Sequence, residues 1–88
     1  MNTNALSELI ASQLIFDEEN DTYSVSLSTR QMEEISDSFT ELPSYGLTFH
    51  FDADGELIDV LDLETEESVD ADEVLFLVDL IREQIELI

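Results

Sequence analysis

The segment LTFHFDADGELIDVLDL, residues 47–63, decides the fold because it places a turn signal between two apolar stretches. Before Asp54-Gly55, apolar and polar residues alternate with the period of a β-strand that is buried on one face. An Asp-Gly pair between such stretches favours a tight two-residue turn, because both residues tolerate positive φ angles. We therefore predict a β-hairpin with its turn at Asp54-Gly55 and a return strand from Leu57 to Leu63.

The predicted turn also fixes which residues lie opposite each other across the hairpin. With a two-residue turn, Phe51 pairs with Ile58 and Phe49 pairs with Val60. These four side chains then share one face of the hairpin with Leu47, because side chains alternate between the two faces of a strand. We predict that this face packs against the core.

Polar residues dominate the opposite face of the predicted hairpin. His50, the only histidine of the chain, lies there opposite Asp59. Leu57 and Leu61 fall on the same face and have two interpretations. They are either partly covered by a loop or the first helix, or exposed as a homodimer contact or an apolar anchor for a target protein.

The rest of the chain predicts three helices and one more strand. Apolar residues recur at helical spacing near 4–15, near 30–42, and from Ser68 or Asp70 to the C-terminus. Residues 23–27 alternate between apolar and polar side chains, which is typical of a half-buried strand. The four predicted elements therefore flank the hairpin on both sides.

The second helix carries its own start and stop signals. Ser28 and Gln31 have the spacing of a capping box, and Pro43 ends the helix. The predicted element order is then α-β-α-β-β-α. We expect a single small α+β domain over residues 1–88, in which the helices pack on the apolar face of a three-stranded sheet.

Charge is the dominant feature of the composition. The chain has 23 acidic residues, two arginines (Arg30 and Arg82) and no lysine, so its net charge is −21 over 88 residues. Because 43% of the residues are hydrophobic, it should fold despite this self-repulsion, unlike a disordered acidic tail. The charge disfavours direct binding to nucleic acid or to an anionic membrane, and favours a basic protein partner.

Several other classes of protein lack support in the sequence. The absence of cysteine excludes disulfides, thiol nucleophiles and cysteine-based zinc sites. No stretch approaches the length of about 18 apolar residues that a membrane span needs, and the first residues lack the basic segment of a signal peptide. We therefore expect a soluble, cytoplasmic protein.

No set of residues predicts catalysis, a metal site or a cofactor. Residues 50–55 hint at a calcium loop, but His50 and Leu61 occupy positions where that loop needs oxygen ligands. His50 beside Asp59 is better explained as a structural cross-strand pair than as an acid–base pair. Asp37-Ser38-Phe39 resembles the phosphopantetheine attachment motif of acyl carrier proteins, but Ser38 lies inside a predicted helix and the chain contains strands.

Acidic residues form two rows on the predicted helices. Helical spacing places Asp72, Asp79, Glu83 and Glu86 on one side of the last helix, and the second helix repeats this pattern on a smaller scale with Glu34, Asp37 and Glu41. Such a row is either an ordinary solvated face or a contact surface for a partner. The candidate partner-binding residues are Glu33, Glu34, Asp37, Glu41, Asp59, Glu64, Glu66, Glu67, Asp72, Asp79, Glu83 and Glu86.

In its size, acidic rows and mixed secondary structure, the chain resembles small acidic DNA-mimic inhibitors, which phages and mobile elements often encode. The resemblance implies an anti-CRISPR or anti-restriction protein that occupies the positively charged DNA- or RNA-binding groove of its target. That target would be a CRISPR effector, a restriction enzyme or a nucleoid protein in the host cytoplasm. The class has no shared motif, so no residue role is transferred. The alternative is an ordinary soluble protein of a halophilic cytoplasm with a non-inhibitory role in protein interaction.

Overall fold

A four-stranded antiparallel sheet forms the frame of the molecule, whose residues 1–88 are all described by a computed structural model. The strands are β1 (Leu14–Asp17), β2 (Thr22–Leu27), β3 (Leu47–Asp52) and β4 (Leu57–Asp62). The helices are α1 (Thr3–Gln13), α2 (Thr29–Ser38) and α3 (Leu75–Glu86), and a short 3-10 turn (Ala71–Val74) precedes α3. Each strand pairs with the next along the chain, and the element order is α-β-β-α-β-β-α.

The prediction of a three-stranded sheet is therefore wrong, because it missed β1. The apolar residues that continue the helical spacing of α1 leave the helix at Leu14, whose backbone is extended, and pair with β2 instead. The turn between β1 and β2 is fixed by Asp17, whose carboxylate accepts hydrogen bonds from the backbone of Glu19 and the side chain of Asn20. The acidic segment of residues 17–21 thus joins two paired strands as a hairpin turn.

The hairpin of β3 and β4 is confirmed, but its turn is one residue longer than predicted. Asp52 pairs with Glu56, which leaves Ala53, Asp54 and Gly55 in the turn, and Gly55 has a φ of 85°. Such three-residue turns place glycine in the left-handed region. The extra turn residue requires a compensating change in the register of the strand that follows.

A β-bulge in β4 supplies that change. The predicted pair of Phe49 with Val60 is confirmed, but Phe51 pairs with Leu57 instead of Ile58. Ile58 is the extra residue of the bulge, and its side chain is 55% exposed. The core-face position that was predicted for Ile58 is therefore wrong, and Leu57, predicted on the outer face, packs against the core.

The second helix ends earlier than the sequence predicts. Its capping box is confirmed, since Ser28 and Gln31 exchange two hydrogen bonds, but α2 stops at Ser38 rather than continuing to residue 42. Phe39 turns into an extended conformation, and its ring packs against that of Phe76 at a centroid distance of 5.0 Å. This tertiary contact replaces the last helical turn.

A short 3-10 turn leads directly into the last helix. Asp70, one of the two predicted starting points, accepts the N–H of Asp72 at the start of the 3-10 turn, and the α-helix follows from Leu75. The predicted apolar face is buried except at its end, where Ile88 is 78% exposed. The buried members of that face are Val74, Leu77, Val78, Ile81 and Ile85.

Sixteen apolar side chains form the core, and no polar or charged side chain is buried. The sheet contributes its inner face, above all Phe49 and Phe51, and burial of such a ring contributes about 1.5–3 kcal/mol. All three helices place buried residues in this same cluster, so they cover one face of the sheet and leave the other face open. None of these helices has the length and apolar character needed to cross a lipid bilayer.

We expect Gly55→Ala to lower the free energy of unfolding by about 1–2 kcal/mol, because a side chain at positive φ brings the Cβ too close to the backbone. The space itself is adequate, since an added Cβ would lie 3.6 Å from Ile85 Cγ2. Gly55→Asn is the matched variant, and it should be less destabilised because asparagine tolerates this conformation. Urea unfolding of both variants checks the prediction, and equal stability of Gly55→Ala and the parent chain would contradict it.

Candidate acidic interaction surface

Solvent reaches nearly all of the acidic residues that the sequence predicts for the interaction surface. Eleven of the twelve are exposed, and Asp59 is half-buried. This exposure follows from the fold, because the apolar stripes of α2 and α3 face the core and leave their acidic faces outside. The predicted residues are therefore available to a partner.

Basic groups neutralise few of these carboxylates. Only two of the 23 acidic side chains lie within salt-bridge distance of a basic side chain. Asp59 Oδ1 lies 2.5 Å from His50 Nδ1, and the two side chains form an ion pair only when the imidazole is protonated. Asp79 Oδ1 lies 3.9 Å from Arg82 Nη1. Arg30 is exposed and forms no salt bridge. The other 21 carboxylates have no basic side chain beside them.

The exposed face of α3 carries a regular row of three acids, Asp79, Glu83 and Glu86. Their spacing of four and three residues corresponds to steps of about 6 and 4.5 Å along the helix axis. Asp72, predicted in the same row, lies instead on the 3-10 turn before α3. Because that turn has a different twist and rise, Asp72 is separated from the row.

The row predicted on the second helix is also shorter. Glu33, Glu34 and Asp37 lie on α2 and are exposed, but Glu41 lies beyond the end of the helix. Its backbone is in the left-handed region, with a φ of 68°. The early end of α2 therefore moves Glu41 from the predicted row to a different part of the surface.

Glu41 lies instead at a groove between the α2–β3 connection and the start of α3. The groove has a volume of about 640 Å³ and brings Glu41 together with Asp72 and Glu73. Tyr45 and Phe76 line the same groove. Sequence reasoning missed Glu73 and this juxtaposition, because both depend on where α2 ends and on the contact of Phe39 with Phe76.

The acids after β4 belong to an ordered turn. The carboxylate of Asp62 accepts the N–H groups of Glu64 and Thr65, and Glu66 adopts a φ of 60°. The chain then returns along β4, where Ser68 bridges to Leu61. Glu64, Glu66 and Glu67 are therefore displayed at the edge of the sheet by a hydrogen-bonded turn.

The open face of the sheet holds the predicted pair of His50 and Asp59 in a shallow depression that Asp17 also lines. The side-chain amide of Asn20 donates to Asp17 and holds the pKa of its carboxyl below the ordinary value, with smaller contributions from the backbone N–H groups of Glu19 and Asn20. Desolvation acts in the opposite direction and exceeds either backbone contribution, but the bond from the Asn20 side chain outweighs it. Nowhere in the chain do three or more His, Cys, Asp or Glu side chains form an arrangement that could hold a metal ion.

Comparison of the chain with protein-family models, curated proteins and solved structures finds no match in any of the three. The function is therefore inferred from the surface itself.

We expect the melting temperature to rise by at least about 5 °C between low salt and 1 M NaCl, the shift that about 1 kcal/mol produces in a domain of this size. The reason is that salt shortens the Debye length to about 3 Å at 1 M and so weakens the repulsion between exposed carboxylates. Thermal unfolding followed by circular dichroism measures this shift. A variant with Glu8, Glu18 and Glu19 changed to Gln should show a smaller rise, and a melting temperature independent of salt would contradict the prediction.

Proposed function

We propose that this chain is a non-catalytic inhibitor that mimics nucleic acid and occupies the positively charged DNA- or RNA-binding groove of a target protein. An anti-CRISPR or anti-restriction role, for a protein encoded by a phage or a mobile element, is the specific form of this proposal. The target is a CRISPR effector, a restriction enzyme or a nucleoid protein.

The density of uncompensated charge is the observation that carries the proposal. A net charge of −21 lies along a molecule whose longest axis measures 35 Å, which corresponds to one charge per about 1.7 Å. Duplex DNA carries one negative charge per about 1.7 Å of its helix axis. A basic groove that attracts DNA would therefore meet a comparable linear charge density in this protein.

The way in which the carboxylates are held supports the same function. Asp79, Glu83 and Glu86 project from one side of a helix whose opposite side is buried, so their separations are fixed by the backbone. The acids after β4 are held by a turn that Asp62 caps. A partner thus meets carboxylates at set positions, and little conformational entropy is lost from the backbone on binding.

Such a protein inhibits by competing with nucleic acid for the basic groove. It does so through its charge and shape, and no base-specific contact is involved. The negative field steers the protein toward a basic groove and raises the association rate, an effect that weakens as ionic strength rises. Within the groove, lysine and arginine side chains that would contact phosphates contact carboxylates instead. The inhibited target is left folded and loses only its access to nucleic acid.

Competition binding tests the proposal directly. A candidate target holding a fluorescent nucleic acid should release it as this protein is added, and the effect should weaken steeply between about 50 and 200 mM salt. Fluorescence anisotropy measures the release. If the target retains its nucleic acid in the presence of a large excess of this protein at low salt, the inhibitor function is wrong and the halophilic alternative is favoured.

The row on α3 should contribute directly to inhibition. Reversal of Asp79, Glu83 and Glu86 to lysine should reduce potency by at least about 100-fold, because loss of a close charge pair at an interface commonly costs a few kcal/mol. The competition assay above measures the change.

A control variant separates direct contact from the general loss of charge. Reversal of Glu8, Glu18 and Glu19, which are exposed on α1 and the β1–β2 turn, changes the net charge by the same amount. Its loss of potency should be at least tenfold smaller. Equal losses for the two variants, with both folded by circular dichroism, would show that the α3 row is not the contact.

A further inference from the structure

The groove between the α2–β3 connection and α3 differs from the rest of the acidic surface because exposed apolar side chains, which we call its floor, line it together with carboxylates. Tyr45 and Phe76 are each 39% exposed and Leu75 is 49% exposed, and all three line the groove. Phe76 is also held in place by the ring of Phe39. An aromatic and aliphatic surface is therefore kept open to solvent in a chain that buries sixteen other apolar side chains.

Three carboxylates, which we call the rim, line the same groove as these apolar side chains. Glu41, Asp72 and Glu73 line the groove and are exposed, and no basic side chain lines it. The three acids come from two segments that are distant in the sequence and that meet where Phe39 packs on Phe76. The groove therefore combines an apolar floor with negative charge that has no counterion from the chain itself.

We propose that this groove receives an arginine side chain of the target protein, an inference that rests on the function proposed above. The guanidinium pairs with carboxylates of Glu41 and Asp72, and its planar face lies on the ring of Tyr45 or Phe76. Arginine suits this combination better than lysine, because its planar fork pairs with two carboxylate oxygens and stacks on aromatic rings. Its aliphatic stem covers the remaining apolar surface.

Other occupants fit the groove less well. A second copy of the chain would bring another net charge of −21 against the same carboxylates, and repulsion would oppose the contact. An uncharged apolar segment would desolvate Glu41, Asp72 and Glu73 without supplying a partner for them, which is costly. A basic side chain with an apolar stem satisfies both parts of the groove.

Two short peptides of equal charge test the inference, one with three arginines and one with three lysines at the same positions. In the intact chain at 0.15 M salt, where the Debye length is about 8 Å, the arginine peptide should bind at least about fivefold more tightly. NMR chemical shifts should place the arginine peptide at Tyr45, Leu75 and Phe76. Equal affinities, or shifts confined to other parts of the surface, would overturn the inference.

Variants of the floor separate stacking from simple charge attraction. Tyr45→Ala and Leu75→Ala should each reduce the preference for arginine at least about twofold, because the compact, strongly hydrated ammonium of lysine gains less from the floor and its peptide loses less affinity. Ile58→Ala is the control, because Ile58 is 55% exposed, more than either floor side chain, but lies on the open sheet face. If Ile58→Ala lowers the preference as much as the floor variants do, the groove is not the arginine site.

A variant of the rim tests the carboxylates. Changing Glu41 to Gln, Asp72 to Asn and Glu73 to Gln should weaken both peptides by at least about tenfold.

The control for the rim, with Glu8, Glu18 and Glu19 changed to Gln, has the same net charge and should weaken binding much less. Equal weakening by the two variants would overturn the role of the rim.

The peptide assay and the competition assay test the two proposals separately. Displacement of nucleic acid without a preference for arginine removes this inference alone, whereas a preference for arginine without displacement removes the inhibitor function.

Discussion

Apolar packing between three helices and one face of the sheet is the interaction on which this structure depends, because charge opposes folding elsewhere. Sixteen buried apolar side chains each contribute about 1.5–3 kcal/mol. A pair of like charges one turn apart on an exposed helix costs only a few tenths of a kcal/mol. Burial therefore outweighs the local repulsion, provided that every carboxylate stays outside the core, as all of them do.

Much of the fold could be predicted from the sequence, because the signals that specify it are local. The capping box of Ser28, the alternation of β3 and the apolar stripe of α3 each depend on neighbouring residues alone. The errors arise where strand pairing, or the geometry of the turn that joins two strands, decides the conformation. Leu14 continues a helical pattern but joins a strand, because β2 offers it a partner. The hairpin register differs because Gly55, in the left-handed region, belongs to a three-residue turn and Ile58 to a bulge.

The candidate surface, like the fold, could be predicted from the sequence only in part. Helical spacing is sufficient to predict that Asp79, Glu83 and Glu86 are exposed together, because one side of α3 must be buried. The groove was not predictable, since it exists only where Phe39 leaves α2 to pack on another part of the chain. No periodic pattern in the sequence signals that Glu41 lies near Asp72. Rows along single elements can thus be inferred from the sequence, whereas sites between elements require tertiary structure.

The two arginines have a consequence for how the protein responds to proteases. Trypsin cleaves only after lysine or arginine, and here both cleavage points lie within helices, Arg30 in the first turn of α2 and Arg82 in α3. The side chain of Arg82 is also tied to the carbonyl of Gly55 by a hydrogen bond of 3.1 Å. Because proteolysis generally requires local opening of the backbone, digestion of this chain reports its unfolding.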